Sequence, residues 1–350
     1  MEDKQIFSDP KVVYEKMISD IRNAEKEILL ETYIYSNDKI GRLFRDELMK
    51  KAVGGVKIKV LIDGWGREVK RKFFEDLIKL GAKLRFFREF KYSWSFIDDN
   101  HERNHRKLLV IDEKISYIGS MNITAKCLGW SELVLRVEGD IGKAFRNSFN
   151  RSWKKFNIWN KRKMKKIVHE SYELIHCFPS ELNNSSFERN YRKLIGHAKK
   201  EIVIETPYFV PSVGIRREIK RALKRGVKIK LTLPRKSDVW LVDVVRNRYL
   251  GKLYKSGVKI YYHPKILHSK LLVIDDDFFL FGSSNLDYRS FLHQYEINLF
   301  GRDKKIISEL KKHFERNLED SKRFDYRLWK NRWRVEKVVE KFIGWFRKYL

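Results

Sequence analysis

Apolar and polar positions along this chain change period again and again, and the changes come in the same order twice. Residues 11–26 carry Val12, Val13, Met17, Ile18 and Ile21 at helical spacing, which predicts a helix with one buried face. EILLETYIY then reads as a strand, and residues 38–53 as a helix stopped by Gly54 and Gly55. KIKVLID alternates as a strand, residues 68–80 look helical up to Gly81, and AKLRFF is again a strand. Residues 88–104 form a loop rich in charge and aromatic side chains (Phe90, Tyr92, Trp94, Phe96). LLVID and SYIGSMN are short strands separated by a turn at Asp112, Glu113 and Lys114, and residues 141–157 close the series as a helix. Strands and helices in this order predict an α/β fold with a mixed sheet flanked by helices.

The second half repeats the first. AEKEILLETYIYS (24–36) answers AKKEIVIETPYFVPS (198–212), and GVKIKVLID (55–63) answers GVKIKLTLP (226–234). GAKLRFF (81–87) answers GVKIYYH (257–263), and Glu132 answers Glu296. A period this long is the size of a domain, not of a solenoid repeat. The expected architecture is a duplicated fold of two lobes that meet at a pseudo-twofold interface. Its boundaries are a first lobe over residues 1–160, a helix and linker over 161–187, a second lobe over 188–320 and a basic tail over 321–350. Residues 161–176 read as a basic helix, and residues 178–186 as the linker. The tail has Val335, Val338, Val339, Phe342, Ile343 and Phe346 on one helical face and Arg334, Lys337, Lys341, Arg347 and Lys348 on the other.

Charge narrows the partners. With 76 Lys and Arg against 46 Asp and Glu, the net charge is +30, which draws the protein to polyanions. Both nucleic acid and a membrane rich in anionic lipid fit. The two cysteines, Cys127 and Cys177, form no CxxC pattern, which argues against a disulfide framework or a zinc site. The N-terminal residues have no hydrophobic signal region, and no apolar run is long enough to cross a bilayer.

The chemistry sits in one phrase written twice. HRKLLVID (105–112) and HSKLLVID (268–275) are offset by 163 residues, and each is followed by Gly-Ser-x-Asn: Gly119, Ser120 and Asn122, then Gly282, Ser283 and Asn285. On a strand, residues i and i+2 share a face, so His105 projects with Lys107 and His268 with Lys270. If the lobes face each other, two histidines and two lysines converge. One neutral imidazole can attack a phosphodiester phosphorus while the other protonates the leaving alkoxide. The lysines, with Ser120, Asn122, Ser283 and Asn285, can hold the phosphoryl oxygens. Glu132 and Glu296 are the candidates to fix the imidazole tautomers through their other ring nitrogens. Tyr208 and Phe209, just past a strand, are candidates for the acyl side of the pocket, with core filling as the alternative. Asp112 and Asp275 belong to the repeated signature, but each begins a turn, where Asp is favoured for structural reasons.

The signature His-x-Lys-x4-Asp-x6-Gly-Ser-x-Asn in two copies resembles that of the phospholipase D superfamily, over about residues 10–330. NHRKLLVID (104–112), ETPYFVPS (205–212), LHSKLLVID (267–275), GSSNLDYRSF (282–291) and EILLETYIYSNDKIG (27–41) look like the bacterial cardiolipin synthase branch. Two details depart from that branch: the first copy reads Gly-Ser-Met-Asn, and Glu132 follows Trp130 where Asp is commoner. The resemblance implies a two-lobed fold and a catalytic set of His105, Lys107, Asp112, His268, Lys270 and Asp275. It also implies a phosphohistidine intermediate, no metal and no cofactor. His105 would be the nucleophile and His268 the acid and base, though the near-symmetry of the copies leaves the reverse open. The implied reaction is transfer of a phosphatidyl group from one phosphatidylglycerol to another, at the cytoplasmic face of the membrane by a peripheral protein. Hydrolysis by a phospholipase D and cleavage of nucleic acid are the alternatives. A binding module with a dead site is disfavoured, because all four His and Lys positions are filled.

Overall fold

The computed structural model describes residues 3–89, 102–154, 167–169, 172–177, 179 and 186–346. Phe90, Tyr92, Trp94 and Phe96 lie outside them. In spatial order, the first sheet runs Asp3–Phe7, Val134–Glu138, Ile115–Gly119, Leu108–Ile111, Glu27–Thr32, Lys57–Asp63 and Lys83–Phe87. The last three strands are parallel and the rest antiparallel. The second sheet runs Lys322–Arg323, Lys259–His263, Lys228–Pro234, Glu201–Glu205, Leu271–Ile274, Phe278–Gly282, Gln294–Gly301, Tyr172–Cys177 and Ile167–His169. Apart from the added edge strands it is the first sheet again, with the same parallel and antiparallel pairings.

Each LLVI strand is apolar throughout because both of its faces are covered, as expected for a strand inside a sheet layered on two sides. Leu109 and Ile111 enter the core under the outer helices of the first lobe, with Ile18, Phe44 and Leu48. Leu108 and Val110 point the other way, into a core shared with Leu271, Val273, Phe281 and Ile297 of the second lobe. Leu272 and Ile274 complete the symmetry in the outer core of the second lobe. The helices Ile141–Lys154 and Lys304–Glu319 give Phe145, Phe149, Ile307 and Leu310 to the shared core. The lobes are therefore joined by a continuous hydrophobic interior.

Several expectations are corrected. The basic helix expected over 161–176 is replaced, in its described part, by the strands Ile167–His169 and Tyr172–Cys177. Tyr172 and Leu174 reach the shared core while Ile175 reaches the outer one, so the period is two and not 3.6. The polar N-terminal residues include a strand, Asp3–Phe7, that pairs with Val134–Glu138. Tyr172–Cys177 pairs in the same way with Gln294–Gly301, so the repeat begins earlier in both halves than the sequence indicated. Residues 68–80 give a 3-10 turn, Arg71–Phe74, and a short helix, Glu75–Lys79. The expected tail begins with Lys322–Arg323 paired to the second sheet, and its helix spans Arg334–Ile343 before a 3-10 turn over Gly344–Phe346. Among the described residues, no helix is long and apolar enough to cross a membrane.

Candidate active site

His105 and Lys107 lie just before Leu108–Ile111, and His268 and Lys270 just before Leu271–Ile274. The four side chains are buried. Alternation works as expected at the first motif. Asn104 and Arg106 point to the opposite side, where Glu31 accepts from Asn104 Nδ2 (2.9 Å) and Arg106 Nε (3.0 Å). In the second motif Glu205 takes the equivalent place, accepting from Ser269 Oγ and from Asn317 Nδ2 (3.1 Å) and meeting His313 Nε2 (2.8 Å). These buried contacts hold each motif from behind.

The front is assembled across the lobes. The segment Arg103–Asn104 runs parallel to Gln294 and Tyr295, and the His105 N–H donates to the Tyr295 carbonyl (2.9 Å). In mirror fashion, Leu267 bridges to Ser131 and the His268 N–H donates to the Ser131 carbonyl (2.8 Å). This stitching places each histidine on the glutamate of the other lobe. His105 Nδ1 meets Glu296 at 3.0 and 3.1 Å, and His268 Nδ1 meets Glu132 at 3.0 Å to both oxygens. With Nδ1 engaged, Nε2 is the nitrogen left for chemistry at both histidines.

The four groups act on one another electrostatically. Burial pulls His105 well below its ordinary pKa, and Lys107, Lys270 and His268 push it the same way. Burial also brings Lys107 down to about 7 and Lys270 to about 8, against the pull of Glu296 and Glu132 on both. Lys107 Nζ donates to the His105 carbonyl at 2.6 Å, and Lys270 Nζ to the His268 carbonyl. A bound phosphodiester anion would favour the charged form of both lysines.

Other expected residues fall elsewhere. Ser120 and Ser283 turn their hydroxyls to the two glutamates. Their hydroxyls donate to Glu132 and Glu296 (2.5 Å for Ser283) and accept from the Leu133 and Ile297 N–H groups, so they steady the glutamates. Gly119 and Gly282 make room for this, because a Cβ there would lie 2.3 Å from the Leu133 or Ile297 carbonyl oxygen. Asn122 Oδ1 accepts from the Ile34 N–H (3.1 Å), and Asn285 is buried, its backbone N–H donating to Ser290 Oγ (3.1 Å). Asp112 and Asp275 are corrected from the catalytic set. Each sits at the far end of its strand, about 17 Å from its lysine at strand spacing. There Asp112 accepts from the N–H groups of Glu25, Lys26 and Glu27 (2.8 Å each), and Asp275 from those of Lys199, Lys200 and Glu201 (2.6, 2.7 and 2.8 Å). Phe209 is fully buried in the outer core of the second lobe, the core-filling alternative. Tyr208 is half-buried and donates to Asp238 (2.7 Å), a carboxylate that also acts on His268 and Lys270.

A family described as "Cardiolipin synthase, PLD-like domain" matches residues 17–153 and 191–318, one match per lobe. The chain belongs to this phospholipase D-like cardiolipin synthase family. It is 33% identical to cardiolipin synthase 1 of Staphylococcus epidermidis over 333 residues, covering 91% of this chain and 68% of that protein. It is 29% identical to the major cardiolipin synthase ClsA of Bacillus subtilis, covering 97% and 74%. Among solved structures, phosphatidylserine synthase of Haemophilus influenzae superposes with a TM-score of 0.77 at 15% identity, over 99% of this chain and 95% of that one. Polyphosphate kinase of Porphyromonas gingivalis does so with a TM-score of 0.66 at 12% identity, over 99% and 54%. These two likenesses show the fold.

Within this cardiolipin synthase family member, sequence reasoning missed the aromatic walls of the site. Tyr33 meets His105 edge-on with ring centroids 5.1 Å apart, and Lys107 Nζ lies 5.5 Å from the Tyr33 ring centre. Trp130 lies against His268 at 5.0 Å. Neither repeats in the other lobe, where Pro207 and Gln294 stand at the equivalent positions, so a search for duplicated residues passes over them. Asp238, Asp287 and Ser290 were missed for the same reason.

Proposed function

We propose that the protein transfers a phosphatidyl group from one phosphatidylglycerol to a second, giving cardiolipin and glycerol through a phosphohistidine. The observation that carries this reading is the pair of crossed His–Glu contacts with both lysines in one buried site, in a chain of this family. His105 Nε2 attacks phosphorus, and His268 gives a proton to the departing glycerol oxygen. Lys107 and Lys270 stabilise the charge that builds on the phosphoryl oxygens. The terminal hydroxyl of the second phosphatidylglycerol then loses its proton to His268 and attacks phosphorus, which frees His105.

The assignment of His105 as nucleophile rests on its surroundings. Positive neighbours reinforce burial there and favour the neutral ring. At His268 burial also lowers the pKa, but Glu132 opposes it and favours the protonated ring that an acid needs. Anionic phospholipid and the membrane surface are the partners in this reading, met from the cytoplasmic face.

The test is mass spectrometry of lipids after incubation of purified protein with phosphatidylglycerol vesicles, beside His105→Ala. Cardiolipin formed by the wild type alone is the expected result. Phosphatidic acid alone would make the protein a hydrolase. Cleavage of single-stranded DNA with no lipid turnover would move the reading to a nuclease.

A further inference from the structure

The C-terminal helix is mounted the opposite way from an ordinary surface helix. An amphipathic helix on a globular protein turns its apolar face inward. Here the inward side of Arg334–Ile343 is formed by Glu340, which is buried and held by Arg332 Nε (2.8 Å) and Nη2 (2.7 Å). Gly344 adds to that side, packed so closely on Arg248 that a Cβ there would clash with the guanidinium. Ile343 touches the outer core of the second lobe from the flank. The apolar stripe faces outward: Val335, Val338 and Phe342 are 68, 66 and 62% exposed, with Trp333 at 78% and Trp345 at 70% beside them.

Three cations border this stripe. Arg334, Lys337 and Lys341 are all exposed on one flank. Trp329, which seats the tail, donates Nε1 to the Asn247 carbonyl (2.8 Å) and packs on Gly251. Both belong to the helix Trp240–Lys255, which starts two residues after Asp238, the carboxylate whose charge acts on His268. Trp240 is itself exposed. An outward stripe of Val, Phe and Trp with a cationic flank matches one environment in both of its chemistries: the headgroup and upper acyl region of an anionic bilayer. Trp favours that depth because its ring is apolar with a polar edge. Lys and Arg are drawn to the negative lipid surface.

We propose that the helix Arg334–Ile343, with Trp333 and Trp345, is the segment by which this protein docks on the surface of an anionic phospholipid membrane. The helix lies in the plane of the interface with Val335, Val338 and Phe342 among the upper acyl chains. The proposal extends the reading of the substrate as phosphatidylglycerol, since a peripheral enzyme must hold the surface in which that substrate is dispersed. The intramolecular pair Arg332–Glu340 keeps the apolar side turned outward.

Sedimentation with vesicles tests it. Wild-type protein and the triple variant Val338→Ser, Phe342→Ser, Trp345→Ser are mixed with vesicles of phosphatidylglycerol or of phosphatidylcholine. Turnover of phosphatidylglycerol dispersed in detergent micelles is measured in parallel, to report that the variant is folded. The expected result is binding to phosphatidylglycerol vesicles at least about tenfold weaker in the variant, with micellar turnover unchanged. Lys337→Glu with Lys341→Glu should weaken binding to phosphatidylglycerol alone and abolish its salt dependence in part. Unchanged vesicle binding in the triple variant overturns the proposal. So does a wild type that elutes as a dimer and a variant that elutes as a monomer, both binding vesicles equally, because the stripe is then a contact between copies. If the wild type turns over no micellar phosphatidylglycerol, the reading of the reaction fails, and the vesicle comparison, with circular dichroism as the check on folding, still decides the docking proposal.

Discussion

Glu132 and Glu296 occupy equivalent positions and hold their histidines at the same distance, yet their neighbours differ. Around Glu296 the second lobe supplies polar groups. Ser290 Oγ donates to it at 2.9 Å, the Gln294 amide lies against it, and Asp287 adds a second negative charge. At the matching positions around Glu132 the first lobe has Cys127, Trp130 and Thr124. Burial raises Glu296 to about 8, and Asp287 adds to the effect against the pull of Lys107 and the serines. Burial pushes Glu132 up as well, but His268, Lys270 and Ser120 outweigh it and hold it below the usual carboxylate range. Residues that stand behind the two equivalent glutamates thus push their pKa values in opposite directions. In the proposed reaction one histidine is the nucleophile and the other serves as acid and then base, and the unequal surroundings of the two glutamates would supply that difference.

The sharpest way to break this comparison is to remove each histidine in turn. With a phosphodiester whose leaving group needs no proton, His268→Ala should still accumulate phosphohistidine, while His105→Ala should show none. Turnover of phosphatidylglycerol should fall on the order of 10^4-fold or more in His105→Ala and about 10^2 to 10^4-fold in His268→Ala. Label accumulating in His105→Ala, detected by mass spectrometry under alkaline conditions, would reverse the two roles.

The glutamates come next. Gln imitates a protonated carboxyl, so Glu296→Gln should cost less than about tenfold in kcat, while Glu132→Gln, which removes a charge, should cost about 10^2-fold or more. Equal losses would show that both pairs hold the same charge. Asp287→Asn sharpens the point through pH. Removing its charge lowers the pKa of Glu296, so the limb of the rate profile due to Glu296, placed near pH 8, should move to lower pH. A limb that stays in place would show that Glu296 does not set it. The lysines predict a separate trend: as pH rises past about 7 to 8 the free enzyme loses their charge, and KM should rise with kcat less affected. Steady-state kinetics from pH 6 to 9 reads both effects.

Asp112→Ala and Asp275→Ala should have the smallest effect on chemistry. Each removes the acceptor of three backbone N–H groups and should lower stability by about 1–3 kcal/mol, read by thermal unfolding, with kcat little changed. A large loss of kcat in a folded variant would return these residues to the catalytic set.

Much of this was legible in the sequence. The order of elements, the duplication and the HxK strands follow from periodicity, because a strand covered on both faces must be apolar throughout while its polar end carries the histidine. The edge strands were not legible. Asp3–Phe7 and Tyr172–Cys177 are short, carry charge and take their shape from the Val134–Glu138 and Gln294–Gly301 strands they pair with, so local pattern alone mistakes them for coil or helix. The apolar stripe of the helix Arg334–Ile343 was legible, but which way it turns depends on Glu340, Arg332 and Gly344 meeting the body of the second lobe.

By itself the sequence determined which groups are present: two His-x-Lys pairs, two glutamates at matching places and a repeat long enough to be a lobe. Repetition carries that information, since equivalent residues in a duplicated fold must come to equivalent places. Only the tertiary structure decided that each histidine belongs to the other lobe's glutamate. The decision is made by the backbone bonds from His105 to Tyr295 and from His268 to Ser131, which join segments far apart in the chain. Contacts of that separation depend on how two finished sheets pack, and no local period along the chain encodes them.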